Sequence, residues 1–182
     1  MSEDAVIIGR FQPMHEGHQY GLIEPTRRDY DRVIIGIGVS TEEPSCHDPL
    51  LYEERARMIE QVYDDIETVP IYDQGDDTDW QEEVEATIDD VLEDDSFTVV
   101  TGNDWVASCL DDDDTSYDVS LLDEPEMYQR DTYSGTEVRE RASRGDRWHE
   151  LLDDAVATYL DDIGFEQRLT LGGCYDAVRV EA

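Results

Sequence analysis

Lysine is absent from this chain. All 13 of its Lys and Arg positions are arginine, against 48 aspartates and glutamates, and the formal charge at pH 7 is −35. The absence removes two chemistries. A Walker-type phosphate loop needs its lysine, and a Schiff base needs a primary amine. Any phosphate held here is held by arginine, histidine, backbone N–H groups or a metal ion. Basic patches are missing too, so nucleic acid is not an expected partner. No apolar run approaches the ~18 residues a membrane span requires, so no membrane is expected either. The opening MSEDAVIIG is acidic where a secretory signal would be basic. Cysteine is scarce: Cys46, Cys109 and Cys174 lie far apart with no C-x-x-C pair. They are expected to be thiols of a reducing interior, with neither a disulfide framework nor a metal site. The expected location is cytoplasmic.

What the chain has in excess is carboxylate. Charge on this scale drives a compact state apart by self-repulsion unless salt screens it. At molar salt the screening length is roughly 3 Å, so the composition reads as adaptation to a salt-rich cytoplasm, that of a halophile. Low hydrophobicity with high net charge is also the signature of disorder. Regular apolar segments argue against disorder for most of the chain. At 182 residues it has the length of one well-cored domain.

Those segments alternate. AVIIG (5–9) and RVIIGIGV (32–39) are β-branched runs of the kind buried on both faces of a sheet. ETVPIY (67–72), FTVVTG (97–102) and VSLL (119–122) are further strands. Helices are expected over about 17–30, with Pro25 as a kink or end, and over 52–65 and 79–92. A short helix runs through Cys109, and others cover 135–144 and 148–162. Strand and helix in alternation predict an α/β fold of Rossmann-like form, an open parallel sheet with helices on both faces. The domain is expected over 1–169, with 170–182 as a tail.

In such a sheet ligands bind beyond the carboxyl ends of the strands. GRFQPMHEGH (9–18) sits there, after the first strand. Pro13 suits a helix approach, so the helix is expected to begin near His15. His15 and His18 then share one helical face, and Gly17 leaves room for an anion to approach backbone N–H groups at the positive helix end. Arg10 adds a planar fork of donors. This is a phosphate cradle built without lysine. A second candidate is YSGTEVRERA (133–142). Ser134 and Glu137 form a capping-box pattern, while Ser134, Gly135 and Thr136 also offer hydroxyl and N–H donors at a helix start, with Arg139 one turn in.

GRFQPMHEGH resembles the signature of the H-x-G-H nucleotidyltransferase superfamily, closest to archaeal-type nicotinamide-mononucleotide adenylyltransferases. SGTEVR is similar to the S-G-T-x-x-R motif by which that family grips ATP phosphates. DPLLYEER (48–55), VPIYD (69–73) with Trp80, and TGNDWV (101–106) resemble further family segments, so the similarity covers about 5–165. The resemblance implies transfer of AMP from ATP to nicotinamide mononucleotide, giving NAD and pyrophosphate. Mg2+ would enter with ATP, and the protein would be a homo-oligomer. It assigns Arg10, His15, His18 and Arg139 to the triphosphate. Gly9, Phe11, Gln12, Gly17, Gly102, Asn103, Ser134, Gly135 and Thr136 complete the ATP site. His47, Asp73, Asp77 and Trp80 fall to the acceptor, Trp80 stacking on the nicotinamide. No protein metal ligands are expected.

The departures from the family pattern sit on the acceptor side. Asp77 replaces an asparagine that reads the carboxamide, and a carboxylate can only accept. The S-H-T/S segment becomes Glu43-Pro44-Ser45, and the basic residue that holds the mononucleotide phosphate becomes His47. Another acceptor on the same scaffold (nicotinate mononucleotide, FMN or phosphopantetheine) is therefore the alternative, phosphopantetheine being disfavoured by Trp80. A nucleotide-binding module without catalysis is a second alternative. An acceptor phosphate is already ionised, so the expected mechanism is direct in-line transfer with no general base, His18 being the transition-state donor.

Overall fold

The computed structural model describes residues 4–39, 44–73, 77–92, 97–110, 117–122 and 127–171, the side chains of Asp77, Thr78 and Leu171 excepted. Unbroken apolar runs become the middle of a sheet. β1 (Asp4–Gly9) lies between β2 (Arg32–Val39) and β4 (Phe97–Thr101), with β3 (Glu67–Tyr72) and β5 (Asp118–Leu121) outside them. The order is β3-β2-β1-β4-β5 and every pairing is parallel. Ile7 of β1 pairs with Ile35 and Val100, which fixes the register at the centre.

Because strand side chains alternate, β1 feeds two cores. Ala5 and Ile7 join one cluster with Leu22, Ile23, Met58, Ile59, Val138, Val156 and Phe165. Val6 and Ile8 join the other with Val84, Ile88, Val106 and Leu110. The first face is covered by the helical run 16–29, α3 (Tyr52–Glu60), α6 (Gly135–Arg144), α7 (Asp154–Asp162) and α8 (Phe165–Leu171). The second is covered by α4 (Asp77–Asp89) and α5 (Asp104–Leu110). Each fully buried isoleucine or valine contributes about 1.5–3 kcal/mol, which is what holds so charged a chain compact. The open parallel sheet with helices on both faces is the architecture the alternation predicts.

Several boundaries differ from the sequence reading. The first helix is divided into α1 (Glu16–His18), a π-helical stretch Gln19–Ile23 and α2 (Glu24–Asp29), with Pro25 in the first turn of α2. A widened turn before a proline accommodates the N–H it lacks. The helix expected over 148–162 is interrupted, since Asp153 caps a new start by accepting from Ala155 N at 2.8 Å. α8 packs Phe165 and Leu169 into the first core and reaches Leu171, past the expected start of the tail, whose residues 172–182 lie outside those described. Arg168 locks it to α3 through a bidentate pair with Glu54, both contacts at 2.7 Å. Cys46 is disulfide-bonded, which corrects the expectation of free thiols for that residue, while Cys109 is free.

Candidate active site

The loop after β1 is held by contacts made across the fold. Gly9 leaves little room for a side chain, because a Cβ there would lie 3.0 Å from the Phe11 ring, which would have to give by a few tenths of an ångström. Phe11 adopts φ 49°, a left-handed conformation that costs a bulky residue energy. The Gln12–Pro13 peptide is cis. The Gln12 side chain pairs with the Leu50 backbone in both directions, donating to its carbonyl at 2.8 Å and accepting from its N–H at 3.0 Å. Its own carbonyl accepts from the Arg139 guanidinium of α6. A buried arginine that sequence reasoning left without a role, Arg55 of α3, donates to the carbonyls of Arg10 and Gly38, each at 2.7 Å. Burial lowers its pKa to about 10. Gln12 and Phe11, expected at ATP, are 5% and 1% exposed. They position the loop from beneath.

His15 is the cap of α1 and lies outside the helix, with φ −136°. Its Nδ1 accepts from His18 N–H at 3.3 Å, so its proton sits on Nε2. The two imidazoles stack at 3.7 Å between centroids, and Phe11 lies 4.8 Å from the His18 ring. A cap and a stack, not a shared helical face, bring the pair together. Buried Nδ1 of His18 has no partner among the described residues. An orphaned acceptor is more tolerable than an orphaned N–H, so His18 also carries its proton on Nε2. Burial, then His18, Arg130 and Arg139, push the His15 pKa well below its ordinary value. Burial and then Arg130 take His18 down to about 4. Both rings are therefore neutral N–H donors at pH 7. At Gly17, a Cβ would sit 2.9 Å from His15 Nδ1 and 3.0 Å from Tyr133 Cβ. The crowding that demands glycine here comes from the cap and from Tyr133.

The second motif meets the first. Ser134 caps α6, accepting from Glu137 N–H at 3.1 Å. The carboxylate of Glu137 does not complete the box but takes Arg141 Nε at 2.7 Å. Gly135 packs against the loop so closely that a Cβ would lie 2.8 Å from the Gln12 carbonyl oxygen. Arg139 is 5% exposed, and both of its acceptors, the Gln12 carbonyl and Thr136 Oγ1, are neutral. Its Nε is buried without a partner among the described residues. A buried cation with neutral acceptors leaves a positive potential for an anion to meet.

Other expected residues divide between the flanks. Arg10 points to the β2 side, exposed and 3.6 Å from Asp48, in the turn that carries exposed His47. Asn103 caps α5, accepting from Trp105 N–H at 3.0 Å. Gly102 follows β4 and lies beside Arg130. Asp73 is exposed at the end of β3, and Trp80 is buried to 9% exposure in the second core. The Asp77 side chain and Glu43 lie outside the described residues. Missed by sequence reasoning was Trp105, 53% exposed with its ring 5.5 Å from Trp80. Its signal was a second tryptophan in the TGNDWV turn. Arg130 was missed as well; a lone arginine in an acidic stretch of a lysine-free chain was its signal.

A model of the cytidylyltransferase-like family matches residues 6–141. The chain is 34% identical over 169 residues to a nicotinamide-nucleotide adenylyltransferase of Methanolobus tindarius, covering 91% of each. It is 31% identical over 166 residues to the enzyme of that name from Halobacterium salinarum, covering 89% of this chain and 88% of that one. Among solved structures it superposes on a bifunctional NMN adenylyltransferase/ADP ribose pyrophosphatase of Francisella tularensis, complexed with AMP and a Mn ion. The TM-score there is 0.70 at 21% identity, over 94% of this chain and 52% of that one. This chain thus spans about half of that protein's length.

Proposed function

The chain belongs to the cytidylyltransferase-like family, and we propose that it transfers AMP from ATP to nicotinamide mononucleotide, releasing pyrophosphate. The observation that carries this reading is the junction of two phosphate motifs, in which buried Arg139 reaches the carbonyl of Gln12 beside two neutral, stacked histidines.

An oxygen of the acceptor's 5′-phosphate attacks the α-phosphorus of ATP, and the bond from that phosphorus to the β-bridging oxygen breaks. The new P–O bond joins the two mononucleotides, and the departing electron pair leaves on pyrophosphate. The nucleophile is already ionised, so no proton has to be removed. Catalysis is alignment plus stabilisation of charge in flight. Nε2–H of His18 donates to the α-phosphate and Nε2–H of His15 to the phosphates beside it. Arg139 supplies fixed positive charge from below, and Thr136 and the free N–H groups of α6 hold the nucleotide. Because both rings are neutral, they add no competing proton equilibrium near pH 7.

Among the described residues no group of three or more His, Cys, Asp or Glu could hold a metal ion. The donors here are guanidinium and imidazole N–H groups, which suit phosphate oxygens. Mg2+ therefore belongs to the substrate, as MgATP, where it neutralises phosphate charge. On the acceptor side, Arg10 and His47 stand toward the mononucleotide phosphate, and the Trp80–Trp105 pair toward the pyridinium. The working protein is a homo-oligomer of the cytoplasm. No described helix is long and apolar enough to cross a membrane.

The test is incubation in molar KCl with Mg2+, ATP and nicotinamide mononucleotide, following NAD by a coupled dehydrogenase and pyrophosphate in parallel. One pyrophosphate per NAD is expected. Turnover with nicotinate mononucleotide but not with nicotinamide mononucleotide would replace the acceptor. ATP binding without turnover of either would overturn the reading.

A further inference from the structure

We propose that Arg55 is a positioning residue of the acceptor side: by bridging the backbone carbonyls of Arg10 and Gly38 it fixes how β1 and β2 part, and so aims the Arg10 guanidinium at the attacking 5′-phosphate. The inference rests on the adenylyl-transfer reading and deepens it. Strand register shows where the bridge falls. The β1–β2 ladder ends with Gly9 opposite Ile37, while β2 goes on beside β3 as far as Val39 opposite Tyr72. Arg10 and Gly38 are each one residue past the last rung, where the loop after β1 turns away. Carbonyls left by a parting ladder need other donors. Arg55 Nη1 serves both at 2.7 Å, so one nitrogen stands where the next rung would have been.

A buried arginine ordinarily meets a carboxylate. Arg55 is 3% exposed, and its hydrogen-bond acceptors among the described residues are all carbonyls, the third being Leu51 O at 3.4 Å from Nε. Even with its pKa lowered to about 10 it is a cation at pH 7. The helix it stands on is anchored, since the preceding residue, Glu54, accepts from Leu51 N–H at 3.0 Å and pairs with Arg168 of α8. Arg10 is thus clasped at its carbonyl from below. Its stem runs over Gly38, where a Cβ would lie 3.6 Å from Arg10 Cγ, and its head lies 3.6 Å from Asp48 in the turn that carries His47. In-line attack needs the acceptor oxygen about 3–3.5 Å from the α-phosphorus, and a misplacement of about 1 Å can cost a hundredfold. His18 meets the α-phosphate on the loop and Arg10 meets the acceptor on the β2 flank. The span that Arg55 holds between the two strands sets the separation of the reacting groups.

The experiment is a double-substitution cycle in molar KCl with Mg2+ and ATP, comparing wild type, Arg55→Met, Arg10→Ala and the two combined by pyrophosphate release. Wild type is first given nicotinamide and nicotinate mononucleotides, and whichever it turns over is the acceptor for the cycle. Turnover of neither defeats the transfer reading, and this inference with it. Arg55→Met is expected to lower kcat at least about tenfold while the KM for ATP stays within about threefold. Arg10→Ala alone is expected to cost at least about tenfold in kcat/KM for the mononucleotide, but less than about threefold once residue 55 is substituted. Arg55→Lys, whose ammonium can donate to both carbonyls, is expected to restore kcat to within about fivefold of wild type. Circular dichroism checks each fold, and Arg55→Gln, too short to bridge, replaces Arg55→Met if that variant does not fold. A lower melting temperature with unchanged kcat overturns the proposal, because that is what a purely structural role predicts. Fully multiplicative losses in the cycle overturn it as well, since Arg55 would then not act through Arg10.

Discussion

The neutral histidine pair has a measurable effect on stability. His18 has its pKa lowered from 6.5 in the unfolded chain to about 4, through burial and Arg130. As pH falls, the unfolded chain takes up this proton first, so stability present above pH 6.5 is lost progressively down to about pH 4. By linkage the loss at pH 5 relative to pH 8 is about 2 kcal/mol for this one group. Forty-eight carboxylates complicate the total, since protonating them relieves self-repulsion in the same range. The clean quantity is therefore the difference between wild type and His18→Asn, which lacks the titrating group. At pH 8 the two have some fixed difference in melting temperature. By pH 5 wild type falls relative to the variant by roughly 5 °C, at the 2–4 °C per kcal/mol of a chain this size. Thermal unfolding in molar KCl, read by circular dichroism every half pH unit, measures it. Parallel curves for the two proteins would refute the neutral-histidine reading.

Gly135→Ala places a methyl 2.8 Å from the Gln12 carbonyl. It should cost about 1–3 kcal/mol in denaturant unfolding despite alanine's higher helix propensity, and activity should fall further as the Arg139–Gln12 contact opens; unaltered stability would mean that α6 and the loop are less tightly joined. Trp105→Ala removes the exposed ring beside Trp80 and should raise the KM for nicotinamide mononucleotide severalfold with that for ATP unchanged. An unmoved mononucleotide KM counts against the acceptor side as drawn. On dilution from molar to millimolar KCl the helical circular dichroism should decay, because screening lengthens beyond the spacing of surface carboxylates. A protein fully folded in low salt would contradict the salt reading.

Sequence showed much of this and hid the rest for identifiable reasons. The strands were legible because residues such as Val6, Ile7, Ile34 and Ile35 are buried on both faces and so form unbroken apolar runs. The phosphate motifs were legible because their residues lie close together in the chain. What each residue does there was less so. Gln12 reads as a nucleotide contact, and its amide also pairs with the Leu50 backbone; Arg10 reads as a triphosphate ligand, and its guanidinium lies 3.6 Å from Asp48. The interruption at Asp153 turns on one side-chain cap, which periodicity does not report. Arg130 and Trp105 escaped for a common reason, that the residues they lie beside, Gly102 and Trp80, are distant in sequence and carry no pattern.

The most direct measurement sets wild type and His18→Ala side by side in molar KCl with Mg2+, ATP and nicotinamide mononucleotide, scoring NAD and pyrophosphate together. Donation by His18 to the α-phosphate predicts equal yields of the two products from wild type. It also predicts at least about a hundredfold slower turnover in the variant at unchanged circular dichroism. A variant within a few fold of wild type, or pyrophosphate released without NAD, would contradict it.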